Sequence, residues 1–185
     1  MNKKIFGSLR TVAILIIFLL LYLWMNQNSF SNMKPAATKK GSIPQWGKRT
    51  KTSGCDTKQN FPDKACTPGD VLPNITKDDI CRPDYSKGIS IIQESESNAV
   101  FAEYGIGNYT SGRYEVDHFV SLELGGSNDI SNLWPELVDP KPGFHEKDKV
   151  EDYLRNQVCS GAMTLEEAQI KIVNNWLDIY NNLPK

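Results

Sequence analysis

The stretch that decides the fold reads Tyr114-Glu115-Val116-Asp117-His118-Phe119-Val120-Ser121-Leu122-Glu123-Leu124-Gly125-Gly126-Ser127-Asn128-Asp129, and then Asn132-Leu133-Trp134-Pro135. Apolar and strand-forming residues fill Tyr114 to Leu124, and Gly125-Gly126 is a turn signal. Asn132 to Leu137 reads as a partner strand, with Pro135 restricting its pairing because proline brings no N–H to the ladder. From His145 to Cys159, Val150, Tyr153, Leu154 and Val158 share one face of a helix, which Gly161 ends. Thr164-Leu165-Glu166-Glu167 is a capping box for a last helix to about Asn181, lined by Leu165, Ala168, Ile172 and Trp176. The order strand, turn, strand, helix predicts an α+β platform that aims a strand residue and a helix residue at one point.

The chain has two histidines, and both fall on this platform. Imidazole takes up a proton near neutral pH or, when neutral, binds a metal. Asp117 directly precedes His118. Neighbours on a regular strand point to opposite faces, so a site shared by the pair requires local distortion.

The whole string, from Tyr114-Glu115-Val116-Asp117-His118 through Gly125-Gly126 and Asn132-Leu133-Trp134-Pro135 to His145, resembles the HNH nuclease family, whose fold is the ββα-metal finger. That family carries Asp-His or His-His on the first strand, a Gly-Gly turn, Asn-Leu opening the second strand and His on the following helix. The resemblance covers residues 113–159. The flanking Cys66-Thr67-Pro68-Gly69, Ala102-Glu103-Tyr104-Gly105 and the C-terminal helix are similar to those of exported bacterial proteins with this core. It implies a disulfide-stapled ββα-metal finger with additional short helices and a C-terminal helix.

The resemblance also implies roles. His118 would be the general base, taking a proton from the water that attacks phosphorus. Asp117 and His145 would ligate one divalent metal ion, and Asn132 would hold the loop between the strands and so orient His118. Mixed oxygen and nitrogen ligation suits Mg²⁺ first, then Mn²⁺, with Zn²⁺ and Ni²⁺ as alternatives. The substrate implied is DNA, with RNA as an alternative, cut with little sequence preference, because no helix-turn-helix or basic recognition helix is present. Two features depart from the family. No Cys-x-x-Cys pair surrounds the core, and the position four residues after His145, a second metal histidine in some members, is Lys149. Lys149, Arg113 and Asn128 stand as substrate contacts or, on the plainer reading, as a solvated helix face, a strand edge and a turn residue.

Outward from the platform, residues 55–85 are loop-rich, with a short helix from Thr76 to near Cys81. A second runs from Glu96 to Tyr104 and stops at Gly105. Residues 55–185 read as the nuclease domain. Residues 32–54 read as a flexible basic linker that meets anionic lipid or nucleic acid, or is simply solvated. Residues 1–31 hold Lys3, Lys4 and Arg10 before an apolar run, Val12 to Met25. At ~1.5 Å per residue the run spans roughly 21 Å, short of a ~30 Å hydrocarbon core. It is either a signal peptide or an uncleaved membrane anchor, and both place the domain outside the cytoplasm.

Cys55, Cys66, Cys81 and Cys159 are an even set, so two disulfides are expected in an exported chain. Three pairings exist, of which the short Cys66–Cys81 loop is weakly favoured. Charge cuts the other way. Residues 52–185 carry 12 basic and 22 acidic side chains, a net of −10, against a polyanionic substrate. That imbalance motivates an alternative: a catalytically inactive, disulfide-stapled extracytoplasmic binding domain on the same scaffold.

Overall fold

The computed structural model describes residues 44–86, 92–107 and 112–184. The chain is mixed α and β: α1 (Lys77–Ile80), α2 (Glu94–Glu103), β1 (Tyr114–His118), β2 (Leu133–Leu137), α3 (Phe144–Ser160) and α4 (Leu165–Asn181). The strands form a two-stranded antiparallel sheet, with Glu115 opposite Glu136, Val116 opposite Pro135 and Asp117 opposite Trp134. Pro135 fits because alternate residues of a paired strand do not use their N–H in the ladder. Side-chain alternation puts Glu115, Asp117, Trp134 and Glu136 on one sheet face, and α3 reaches that face.

β1 is shorter than the apolar run to Leu124 predicts. After His118 the chain leaves the strand, and Ser121 caps a 3-10 turn, Leu122–Leu124, by accepting from Glu123 N at 3.1 Å. The apolar character of that segment serves burial instead: Phe119, Val120 and Leu124 are fully buried. With Val150, Leu154 and Val158 of α3 and Ala168, Ile172 and Trp176 of α4 they form the core. Each such aliphatic or aromatic side chain contributes about 1.5–3 kcal/mol by burial.

The helix signals behave as their chemistry requires. Thr76 and Thr164 cap α1 and α4, each with a reciprocal acidic partner, Asp79 and Glu167. Gly161 follows α3 at φ +83°, a left-handed value open to glycine. α2 begins at Glu94, two residues before the expected start, where Glu96 bonds back to Gln93 N.

The disulfides join Cys55 to Cys66 and Cys81 to Cys159, not Cys66 to Cys81. Tertiary docking decides the pairing over loop length. Arg155 of α3 donates to Ile80 O at 3.0 Å, bringing the end of α1 to the end of α3 and Cys81 to Cys159. The linker boundary also moves. Residues 44–54 lie on the domain: Gly47 N donates to Gly69 O at 2.9 Å, and Thr50 N and Lys51 N donate to Ala65 O. Arg49 pairs with Glu103, and Lys51 with Asp63. The folded unit from residue 44 thus carries 15 basic and 22 acidic side chains, a net of −7. Among the described residues no helix is long and apolar enough to cross a membrane. The run Val12–Met25 lies outside the described residues, as does the rest of the linker.

Candidate functional site

The site is built on a loop that one amide holds shut. Asn132 is fully buried. Its Oδ1 accepts from Val120 N (2.8 Å) and Asp70 N (3.2 Å), and its Nδ2 donates to Val120 O (3.0 Å) and Ser127 O (2.8 Å). That fills the bonding capacity of an Asn side chain. Gly126 allows the loop to close so tightly, since a Cβ there would meet Val120 O at 1.9 Å. The loop carries Asn128, whose Oδ1 lies 2.8 Å from His118 Nε2. An amide oxygen only accepts, so Nε2 bears the hydrogen and Nδ1 keeps its lone pair. Burial holds the imidazole below its ordinary pKa, against the opposing pull of Asp117 and Asn128. His118 is therefore neutral at neutral pH, with a basic nitrogen to use.

His118 and Asp117 both line a cleft of about 440 Å³, together with Glu115, Ser121, Glu123 and Glu151. The distortion that a shared site requires is supplied by the end of the strand, since His118 is the last residue of β1.

Behind the cleft stands Lys147 of α3, completely buried. Its Nζ donates to Asp117 Oδ2 (2.6 Å), His118 O (2.9 Å) and Glu151 Oε1 (2.5 Å), one acceptor for each N–H. Burial opposes its charge, but Asp117, Glu151 and Glu136 outweigh burial and hold the ammonium well above its ordinary pKa. Burial raises Asp117, and Lys147, with a hydrogen bond from Glu136 and the pull of His118, brings it below its ordinary value. Burial pushes Glu151 up to about 7 in spite of Lys147. Glu136 is buried, 3.8 Å from Lys147 Nζ; no N–H or hydroxyl reaches its oxygens, and it shares its acid hydrogen with Asp117. Burial raises it well above the usual carboxyl range.

The other residues singled out in the sequence lie elsewhere. His145 is 61% exposed, with Asp148 at 3.9 Å and the Phe144 ring centroid at 4.3 Å. Two residues along a helix turn the side chain by about 200°, so the register that points Lys147 at Asp117 turns His145 away. His145 is not among the residues that line the cleft, though its ring acts electrostatically on the Glu115 carboxyl that does. Lys149 is exposed, 3.9 Å from Glu146. Arg113 is exposed and stacks its guanidinium 5.6 Å from the Tyr114 ring. Lys147, Glu151, Glu136 and Ser121 are members of the site that the motif did not name. A signal for two of them was present: Lys147 and Glu151 share the helix face of Val150 and Leu154, and charged side chains are rarely buried there without a purpose.

The residues can be tested against the divalent ion that the resemblance implies. Among the described residues no three His, Cys, Asp or Glu side chains gather closely enough to enclose an ion. An ion of the magnesium type fits, because it takes one or two carboxylates and fills its shell with water and phosphate oxygens. Asp117 offers such a carboxylate at the cleft, with Lys147 as its buried counter-charge. No family model, curated protein or solved structure matches the chain.

Proposed function

We propose that this protein is a metal-dependent endonuclease of the HNH type, hydrolysing phosphodiester bonds in DNA, and in RNA as a second substrate, with little sequence preference. The observation that carries the reading is His118: a neutral imidazole, oriented by Asn128 through Nε2, beside a carboxylate in an open cleft. The order β1, β2, α3 agrees with the ββα-metal finger that the sequence resembles.

In this reading His118 Nδ1 removes a proton from the water that attacks phosphorus, a contribution of about 10²–10⁴-fold. Asn128 fixes the tautomer, and Asn132 fixes the loop that carries Asn128. Lys147 holds the Asp117 carboxylate in place. Asp117 would hold the ion, Mg²⁺ first and Mn²⁺ next. When bound, the ion supplies Lewis-acid stabilisation of charge on the phosphorane and the leaving oxygen. Two disulfides suit an oxidising, extracytoplasmic compartment.

The test is incubation of the full-length oxidised protein with plasmid DNA and with RNA, in Mg²⁺, Mn²⁺ or EDTA, beside His118→Ala. Nicking that needs metal and falls about 100-fold or more in the variant is the expected result. No cleavage with any metal overturns the enzyme reading. The net charge of −7 favours a second reading, an inactive binding domain on the same scaffold. Nucleic acid or a cell-surface polymer held but left uncut is its signature.

A further inference from the structure

We infer that Asp70, which lies outside the β1–β2–α3 motif, is a positioning residue for His118: its carboxylate clamps the loop that carries Asn128 and so holds the base in its reactive tautomer. This rests on reading His118 as the general base of a hydrolytic site.

Asn132 holds the loop between the strands from within, and residues 69–72 hold it from a distant part of the chain. Gly69 N donates to Ser131 O at 3.0 Å, Leu72 N donates to Gly125 O at 2.9 Å, and Val71 pairs with Gly126 in an isolated antiparallel bridge. Asp70 stands in the middle of that segment. Its N donates to Asn132 Oδ1 (3.2 Å), its O accepts from Ser127 N (3.1 Å), and its Oδ2 accepts from Ser127 Oγ (2.6 Å). The last bond is charge-assisted, and such bonds are stronger than those between neutral groups. Gly47 packs close to the other oxygen, since a Cβ there would lie 3.1 Å from Asp70 Oδ1, so the carboxylate has little room to swing.

Ser127 passes this hold to Asn128. Its hydroxyl donates to Asp70 and accepts from Asp129 N at 3.2 Å, while its O accepts from Asn132 Nδ2. The residues on either side of Asn128 are thus tied to one hydroxyl, and one carboxylate orients that hydroxyl. Asn128 Oδ1 in turn lies 2.8 Å from His118 Nε2. A partner that fixes a histidine tautomer works only where it is itself held. Without the carboxylate, the hydroxyl of buried Ser127 loses its acceptor, and the loop has reason to shift toward water. The backbone bonds of Asp70 do not need its side chain, so a substitution there loosens the aim of Asn128 more than it loosens the fold.

The tautomer can be read without nucleic acid. The chain has two histidines, so nitrogen magnetic resonance of the imidazole rings in the full-length oxidised protein gives two sets of signals, and His145→Ala assigns them. At about pH 8, where imidazole is neutral, wild-type His118 is expected to carry its hydrogen on Nε2. Asp70→Ala should lower the ratio of the Nε2–H to the Nδ1–H form about threefold or more. Asp70→Asn keeps an acceptor for the hydroxyl and should fall between Asp70→Ala and wild type. Ser127→Ala cuts the same bond from the other end with Asp70 intact, and the double variant is expected to match Ser127→Ala, because both changes remove one link. A wild-type ratio in folded Asp70→Ala or in Ser127→Ala overturns the assignment, as does a double variant in which the two losses add. On the nuclease reading kcat of Asp70→Ala should fall about 10-fold, with KM moving less. A His118 ratio that depends on Asp70, in a protein that cuts no nucleic acid, would refute the nuclease reading and leave this role standing. Metal-dependent cleavage with a wild-type ratio in Asp70→Ala would do the reverse.

Discussion

Lys147 and Asn132 show how much a single buried polar group decides here. Lys147→Met removes the ammonium and leaves Asp117, Glu151 and Glu136 in low dielectric without their shared counter-charge. A loss of about 3–5 kcal/mol is expected, read as a lower urea midpoint with unchanged slope. Asn128→Ala leaves the fold in place but frees the His118 ring and its tautomer. On the nuclease reading kcat should fall about 10–100-fold, with KM moving less, in a steady-state assay. Tyr104 supplies a pH test away from the cleft. Its hydroxyl is buried against Thr67 Oγ1 at 2.8 Å, and burial pushes its pKa up to about 12. A phenol titrates near 10 when unfolded, so between about 10 and 12 the folded state holds a proton that the unfolded state has lost. The stabilisation is complete below about pH 10 and is lost as pH rises toward 12. Tyr104→Phe should flatten that alkaline fall in stability, measured by urea unfolding across the range.

At the scale of elements, the best-marked starts and stops are chemical. Thr164→Ala should cost about 1 kcal/mol, seen in thermal unfolding, because Thr164 Oγ1 accepts from Glu167 N at 3.1 Å at the head of α4. Such caps are written in neighbouring residues, so α1, α3 and α4 were legible in the sequence, as was the pairing of two strands around a Gly-Gly turn. What was not legible depended on three dimensions. The run Phe119 to Leu124 is apolar because it is buried, and its strand-like composition hid a 3-10 turn. His145 drew attention as one of the chain's two histidines, but the rotational register of α3 belongs to Lys147. The apolar face Val150, Leu154 and Val158 already contained that register, since Lys147 lies three residues before Val150 and Glu151 four after Lys147. Asp117, His118 and Asn132 were legible because a motif fixes them locally. Glu136 was not, because its environment comes from the far strand and from a helix.

For the molecule as a whole, the covalent frame was the least legible part. Cysteine count gave two bridges but not their partners, and the chain joins Cys81 to Cys159 across 78 residues. On the chain-entropy model that bridge contributes about 4.5 kcal/mol and Cys55–Cys66 about 3. Cys81→Ser with Cys159→Ser should lower the melting temperature well beyond the loss caused by Cys55→Ser with Cys66→Ser, in the same calorimetric scan. The charge balance also changes at this scale, since the basic residues of 44–51 are part of the fold and two of them are spent on Glu103 and Asp63.

The two bridges together are worth about 7 kcal/mol, similar to the entire net stability of an ordinary domain, about 5–15 kcal/mol. A chain kept reduced lacks both, and nothing covalent then ties the end of α3 to the end of α1. On the nuclease reading, the step that completes the fold carrying the cleft is therefore the oxidation of its four cysteines.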